Sequence, residues 1–384
     1  MASLAMPLST SAAVQPSTPA GHGRAVLQQG LDDIVKDGVV GAQGTLVNGA
    51  SRFHARSGIA ELGTGQPVPH QGHFRMGSNT KTFVATVVLQ LVGEGRMRLD
   101  DTVYHWLPGV VAGNGHDGRR ITVRQLLQHT SGLPDYDDKL PGLADPEGFR
   151  KHRFDHYRPG DLIAMALRDR PHFEPGKGWG YSSTGYILAG MIIEKATGNH
   201  WSDEVRSRIT EPLGLKHTYS PGKLTGLPRP HARAYQQFTS QGVLIDSTEL
   251  SVTHGGAAGD MITNSNDLAR FWQALLGGRL LKPEQLTEMQ KTVPADAGGR
   301  PVTDHAGLGV FRTPLSCGGD SWGHGGITIG HLNNNGFTDK GKRGVILLRS
   351  TNLAQTNRDA RTEKLVNDTL CKIRRTPAAH EGDS

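Results

Sequence analysis

Ser78 and Lys81 stand three residues apart in the stretch Arg75-Met76-Gly77-Ser78-Asn79-Thr80-Lys81. The apolar residues that follow, Phe83, Val84, Val87, Val88, Leu91 and Val92, recur at i, i+1, i+4 and i+5. That spacing predicts a helix with one buried face, and Gly93 and Gly95 stop it. Ser78 and Lys81 then share its first turn, where side chains three apart meet. A hydroxyl held beside an amine at the positive end of a helix can become a nucleophile without a histidine. The pattern alone is cheap, because Ser220-Pro221-Gly222-Lys223 repeats it. There proline and glycine argue for a surface turn. Ser78 therefore needs partners from elsewhere in the chain.

The elements that must position such partners follow from the rest of the sequence. A chain of 384 residues can bury a large core and form two lobes. It is 36% hydrophobic and has no run near the ~18 apolar residues of a membrane span. The net charge of +6 is scattered apart from Lys372-Ile373-Arg374-Arg375, which argues against nucleic-acid binding. Cys317 and Cys371 have no histidine at ligand spacing, so a structural zinc site is not expected. They are either two buried thiols or a bridge closing a loop of about 54 residues. His70-Gln71-Gly72-His73 reads as surface loop, and no cofactor or metal is expected.

Residues 1–24, rich in Ala, Ser and Pro, are expected to be disordered. Leu4 to Leu8 is too short for a secretory signal, although Ser11-Ala12-Ala13 resembles a cleavage site. A helix is predicted over 25–36 and strands over 39–47 and 52–60. Residues 99–207 read as short helices and loops. They include a helix starting at Ile121–Leu127 with Thr122 as N-cap, a long loop over 134–159, and a helix over 185–196 that ends at Gly198. A helix over 268–276, strands over 309–311 and 344–350, and a last helix over 363–373 complete the chain. The class is α/β (α+β). Residues 25–98 and 208–376 form one domain, 99–207 a helical one, and 377–384 a disordered tail.

Two further stretches combine reactive side chains with glycine: Gly178-Trp179-Gly180-Tyr181-Ser182-Ser183-Thr184-Gly185-Tyr186 and Trp322-Gly323-His324-Gly325-Gly326-Ile327-Thr328-Ile329-Gly330. Ser78-Asn79-Thr80-Lys81, Tyr181-Ser182-Ser183 and His324-Gly325-Gly326 together resemble the three motifs of penicillin-recognising serine hydrolases. The branch is that of D-alanyl-D-alanine carboxypeptidases and class C β-lactamases, with motifs S-x-x-K, Y-x-N and H/K-x-G. Leu91-Val92-Gly93-Glu94-Gly95, Ser131-Gly132-Leu133, Ala189-Gly190-Met191-Ile192-Ile193-Glu194-Lys195 and Asp246-Ser247-Thr248-Glu249 are similar to streptomycete-type D,D-peptidases. The resemblance runs over residues 28–373. It implies a β-lactamase/transpeptidase-like fold, a central antiparallel sheet flanked by helices with a helical insertion, and a disulfide between Cys317 and Cys371.

The resemblance also implies roles. Ser78 forms the acyl-enzyme, and Lys81 accepts its proton. Tyr181 is the second candidate base and the proton donor to the leaving amine. His324, on an edge strand, supplies a hydrogen bond or positive charge. The N–H groups of Ser78 and Ile327 form the oxyanion hole. Substrate contacts fall to Ser183, Gly326, Ile327, Thr328 and Arg312. Three positions depart from the family. Ser183 replaces the usual asparagine, Gly325 and Ile327 replace threonines, and Phe311 stands where the D,D-peptidases have their carboxylate-binding arginine. Arg312 is one residue later, and one residue along a strand reverses the face.

The implied function is a D-alanyl-D-alanine carboxypeptidase acting on peptidoglycan-type peptides and acylated by β-lactams. The alternative is an esterase, amidase or acyltransferase of the same fold acting on other acyl or D-amino-acid substrates. A non-catalytic β-lactam-binding domain is the third reading. The expected partners are a small peptide or acyl substrate, with no nucleic acid and no membrane span. The protein is expected to be monomeric and secreted. Gly319-Asp320-Ser321-Trp322-Gly323 matches the nucleophile elbow G-x-S-x-G but lacks a core strand before it and a helix after it.

Overall fold

The computed structural model describes residues 19–142, 145–295, 304–354 and 357–373. Ser11-Ala12-Ala13, Arg374-Arg375 and the expected tail 377–384 lie outside them. Helix α1 (Pro19–Lys36) begins six residues before its expected start, within the stretch expected to be disordered. Its buried Leu27, Leu31 and Ile34 pack on an antiparallel hairpin, β1 (Gly41–Asn48) and β2 (Ser51–Gly58). Helix α2 (Asn79–Gly93) follows, with Ser78 at its N-cap position. One buried face was expected, but Asn79 to Leu89 and Leu91 are all buried. The polar side chains on its far side make this tolerable, because each finds a partner. Thr82 Oγ1 donates to Gly309 O at 2.7 Å, and Thr86 Oγ1 to Thr82 O at 2.7 Å.

Helix α3 (Val123–Leu127) starts at Thr122, where Thr122 and Gln125 form a reciprocal capping box. The expected long loop over 134–159 contains a single 3₁₀ turn at Asp137–Lys139 and helix α4 (Pro146–His152). The local signal for α4 is Asp145-Pro146: the aspartate caps Gly148 N at 2.8 Å, and proline suits the first helical position. Helix α5 (Ser183–Thr197) ends at Gly198 in the left-handed region. Helix α6 (Ser265–Leu276) starts three residues before its expected beginning, capped by Asn264. Strands β3 (Val293–Pro294), β4 (His305–Ala306), β5 (Phe311–Pro314), β6 (Asp320–Gly323), β7 (Gly326–Thr328), β8 (His331–Thr338) and β9 (Arg343–Arg349) precede the last helix, α7 (Asn357–Ile373). The strand expected at 309–311 therefore begins only at Phe311. Gly309 has φ +72 and sits against α2, where a Cβ would lie 2.6 Å from that of Ala85. Helix α7 starts six residues before its expected beginning.

The described strands of the main sheet run β2-β1-β9-β8-β6-β5-β4-β3, with β7 also on β8, and every pairing is antiparallel. Hairpin β1–β2 from the start of the chain thus completes a sheet made near its end. Helices α1 and α7 cover one face through Leu27, Leu31, Val345, Leu347, Leu365 and Leu370. The larger core surrounds α2, where Phe83 stacks on Phe271 of α6 at 3.6 Å and Val84, Val87 and Val88 join Tyr186, Leu188 and Ile192 of α5. No helix among the described residues is long and apolar enough to cross a membrane.

Cys317 and Cys371 form a disulfide that ties the β5–β6 turn to α7. The second Ser-x-x-Lys copy lies in a turn with Gly222 at φ +60 and Lys223 exposed. There Ser220 Oγ donates to Asp260 Oδ2 at 2.8 Å, and burial pushes the Asp260 carboxyl up to about 8.

Two stability predictions follow from these links. Replacing both cysteines by serine is expected to lower unfolding free energy by about 4 kcal/mol, the chain-entropy value for a loop of this length. Guanidinium denaturation checks it, and reductant is expected to leave the double variant unchanged. An acid raised above its unfolded value stabilises the fold while protonated. The Asp260 contribution is therefore full below about pH 4 and lost as pH rises through about 8. Asp260→Asn is expected to flatten the decline of melting temperature between pH 6 and 9, measured by thermal denaturation.

Candidate active site

The start of α2 is brought against β7 by two glycines. Gly77 has φ +51, and a Cβ there would lie 2.7 Å from Ile327 O and 2.9 Å from Ile327 N. A Cβ on Gly326 would lie 2.0 Å from Met76 O. Only glycine allows these backbones to touch, and the contact puts Ile327 beside the half-buried Ser78. An amide ladder fixes the approach. Asn79 Nδ2 donates to Asn333 Oδ1 at 2.5 Å, and Asn335 Nδ2 to Asn79 Oδ1 at 2.8 Å. Asn333 Nδ2 also reaches Met76 O and Gly326 O, each at 3.2 Å, and Asn335 Nδ2 reaches His324 O at 2.8 Å. Asn79 is an unassigned letter of Ser-x-x-Lys in sequence terms. Its role is set by Asn333 and Asn335, more than 250 residues away, which no local pattern reveals.

Lys81 is 1% exposed. Its Nζ donates to Ser78 Oγ at 3.1 Å, Ala258 O at 2.9 Å and Ser183 Oγ at 3.4 Å. Tyr181 OH donates to Ser78 Oγ at 2.8 Å, and the Lys81 Nζ lies 4.9 Å from the Tyr181 ring centre. The three distant motifs therefore meet in one place, with Ser183 opening α5. The Tyr181 ring stacks on His129 at 4.3 Å. His129 itself has φ +61, and its Nδ1 accepts from Ser182 N at 3.2 Å. His129, in the turn after α3, thus braces Tyr181.

His324 is buried, with its Nδ1 donating to Gly325 O at 2.6 Å. Its ring lies 6.5 Å from that of Tyr181 and 5.1 Å from that of Phe311. It sits in the bend between β6 and β7 rather than on an edge strand. Arg312 is not brought to the site. Phe311 and Thr313 line the cleft, while Arg312 between them turns to the other face and pairs with Asp320 at 3.6 Å. Gly326, Ile327 and Thr328 line the cleft, and the Ile327 side chain is 58% exposed.

Two carboxylates from the stretch expected as loop complete the site. Asp135 Oδ2 accepts from Ser183 N at 3.0 Å, and Asp137 Oδ2 accepts from Ser183 Oγ at 3.1 Å. Burial, with the Asp137 charge second, pushes the Asp135 carboxyl up to about 6. Burial also raises Asp137, against the opposing pull of Lys81. Asp135-Tyr136-Asp137-Asp138 is a short acidic run with no period, so only its fold-level position marks it. The cleft holds about 870 Å³ and is lined by Ser78, Lys81, Asp137, Tyr181, Ser183 and His324 among others. Of the rival features, Ser321 lies buried within β6 with its hydroxyl on Thr313 O, which is not an elbow. His73 packs against His217, with 2.9 Å between ring nitrogens, so it is not on a surface loop. Among the described residues, no group of three or more His, Cys, Asp or Glu could hold a metal.

A model of the family described as Beta-lactamase matches residues 24–369. A penicillin-binding protein of Bacillus subtilis is 32% identical over 236 residues, 58% of this chain and 49% of that protein. The chain thus spans about half the length of this curated relative. A D-stereospecific amidohydrolase from Streptomyces superposes with TM-score 0.84 at 40% identity, covering 91% of this chain and 98% of that one. A D-amino acid amidase from Ochrobactrum anthropi superposes with TM-score 0.77 at 31% identity, covering 92% and 97%.

The geometry gives two direct predictions. A fluorescent penicillin is expected to add covalently to Ser78, read as one adduct by intact-mass spectrometry, and Ser78→Ala is expected to abolish it. Tyr181→Phe, which keeps the ring on His129 but removes the hydrogen bond to Ser78, is expected to slow labelling about 100-fold or more.

Proposed function

The chain belongs to the Beta-lactamase family of serine hydrolases, and from that premise we propose an amidohydrolase that forms an acyl-enzyme on Ser78 and takes D-amino-acid amides or short D-peptides bearing a free amine. The carrying observation is the cleft wall. Phe311, which the resemblance sets where the D,D-peptidases have their carboxylate-binding arginine, packs edge-on against Trp179 and His324. Among the described residues no arginine lines the cleft, whereas the carboxylate of Asp137 does. A substrate carboxylate would meet an apolar ring and an anion. A substrate ammonium would find a counter-charge, in a partly desolvated place where such bonds count most. The near full-length likeness to a D-stereospecific amidohydrolase and a D-amino acid amidase supports this reading over the carboxypeptidase one.

In the proposed reaction Ser78 Oγ attacks the amide carbonyl, and its proton passes to the Lys81–Tyr181 pair. The oxyanion sits between the N–H groups of Ser78 and Ile327. Tyr181 returns a proton to the leaving nitrogen, and the amine departs. Water then attacks the ester, loses its proton to the same pair, and Ser78 recovers it as the acid leaves. β-Lactams would acylate Ser78 by the same first step. The disulfide supports an extracytoplasmic place of action, since such bridges persist in oxidising compartments.

Comparing kcat/KM for D-phenylalaninamide, its N-acetyl derivative and N-acetyl-D-Ala-D-Ala tests the proposal. A charge-assisted contact contributes about 1.5–3 kcal/mol, so the free amine is expected to win by roughly 10- to 100-fold. A preference for the peptide with the free carboxylate would overturn it.

A further inference from the structure

The hydrogen-bond count around Lys81 assigns a task to a residue outside the three motifs. Lys81 Nζ faces three oxygens: Ala258 O, Ser183 Oγ and Ser78 Oγ. A backbone carbonyl can only accept. Ser183 Oγ carries a single hydrogen, and that hydrogen goes to Asp137 Oδ2. Toward Lys81 the Ser183 oxygen can therefore present only lone pairs. A neutral lysine amine has two N–H groups and one lone pair. The charged ammonium donates to all three oxygens, Ser78 Oγ included. In the neutral form that takes up the proton, the two N–H groups stay on Ala258 O and Ser183 Oγ and the lone pair is left facing the hydroxyl of Ser78.

Without an acceptor behind it, the Ser183 hydroxyl can turn and donate to the amine instead. That occupies the lone pair and blocks proton transfer from Ser78. A carboxamide at 183 would need no such help, because its oxygen accepts whatever stands behind it. We propose that Asp137 is a positioning residue that takes the hydrogen of Ser183 and so aims the Lys81 lone pair at Ser78. Asp135 holds the arrangement by accepting from Ser183 N at 3.0 Å and from Asp137 N at 3.2 Å. Asp137 and Ser183 thus do jointly what a single asparagine does in the Y-x-N motif.

The inference rests on acylation of Ser78 but not on the preference for a free amine. Its test therefore uses p-nitrophenyl acetate, a neutral ester with no amine. Asp137→Ala is expected to lower kcat about 10- to 100-fold, a part of the roughly 100- to 10,000-fold that a positioned general base contributes, with KM changed less than about twofold. Asp137→Asn keeps an acceptor oxygen and is expected to recover at least about a third of the wild-type kcat. Ser183→Asn in the Asp137→Ala background is expected to restore kcat, since residue 137 then no longer matters. If Asp137→Ala does not fold, Ser183→Ala is expected to show the same loss of kcat. Equal losses in Asp137→Asn and Asp137→Ala, no rescue by Ser183→Asn, or undiminished kcat in Ser183→Ala would each overturn the proposal. No turnover by wild-type protein, with no acetyl adduct on Ser78, would instead overturn the acyl-enzyme reading beneath it.

Discussion

A lysine amine held inside the protein is the constraint to which the rest answers. Lys81 is 1% exposed, and an amine removed from water costs several kcal/mol unless oxygens replace its hydration. Three segments supply them: the start of α2 through Ser78, the start of α5 through Ser183, and the Gly255–Gly259 region through Ala258 O. None of these segments can move far without leaving the amine unsatisfied. Burying α2 on all sides, which its one-sided apolar stripe did not foretell, is the packing counterpart of that demand. Helix α2 lies in the centre of the core, with its lysine enclosed and its serine open to the cleft.

Enclosure on one side and access on the other require backbones to meet closely around Ser78. Gly77 and Gly326 allow β7 to press on the beginning of α2, and no larger residue fits either place. The Tyr181 ring is held from behind by His129, whose left-handed backbone ends the turn after α3. The reactive side chains are thus fixed by rigid elements as well as by their hydrogen bonds to one another. This agrees with catalysis resting on positions set before the substrate arrives.

Local chemistry was legible in the residues themselves, and long-range chemistry only where the family resemblance carried it. The Thr122 cap, the Gly198 terminus and the pairing of Ser78 with Lys81 all depend on residues within a turn of each other, and the fold shows each as read. Tyr181 and His324 were reached through the family resemblance of the glycine-containing motifs that hold them. Asp135 and Asp137 had no such flag: an acidic run without period reads as solvated loop, and only burial against Ser183 gives it chemistry. Arg312 failed for the converse reason. It was the nearest guanidinium in the sequence, but strand alternation turned it away and left Phe311 facing the cleft. Element ends shifted where a proline or asparagine could open a helix earlier than the apolar pattern began, as at Pro19 and Asn264.

The ladder that joins Asn79 to Asn333 and Asn335 consists wholly of carboxamides. Such groups neither gain nor lose protons in water at ordinary acidity, and they carry no net charge for salt to shield. The joint between α2 and the wall opposite is therefore indifferent to acidity and ionic strength. Protons can pass among the reactive groups while the frame that spaces them stays the same.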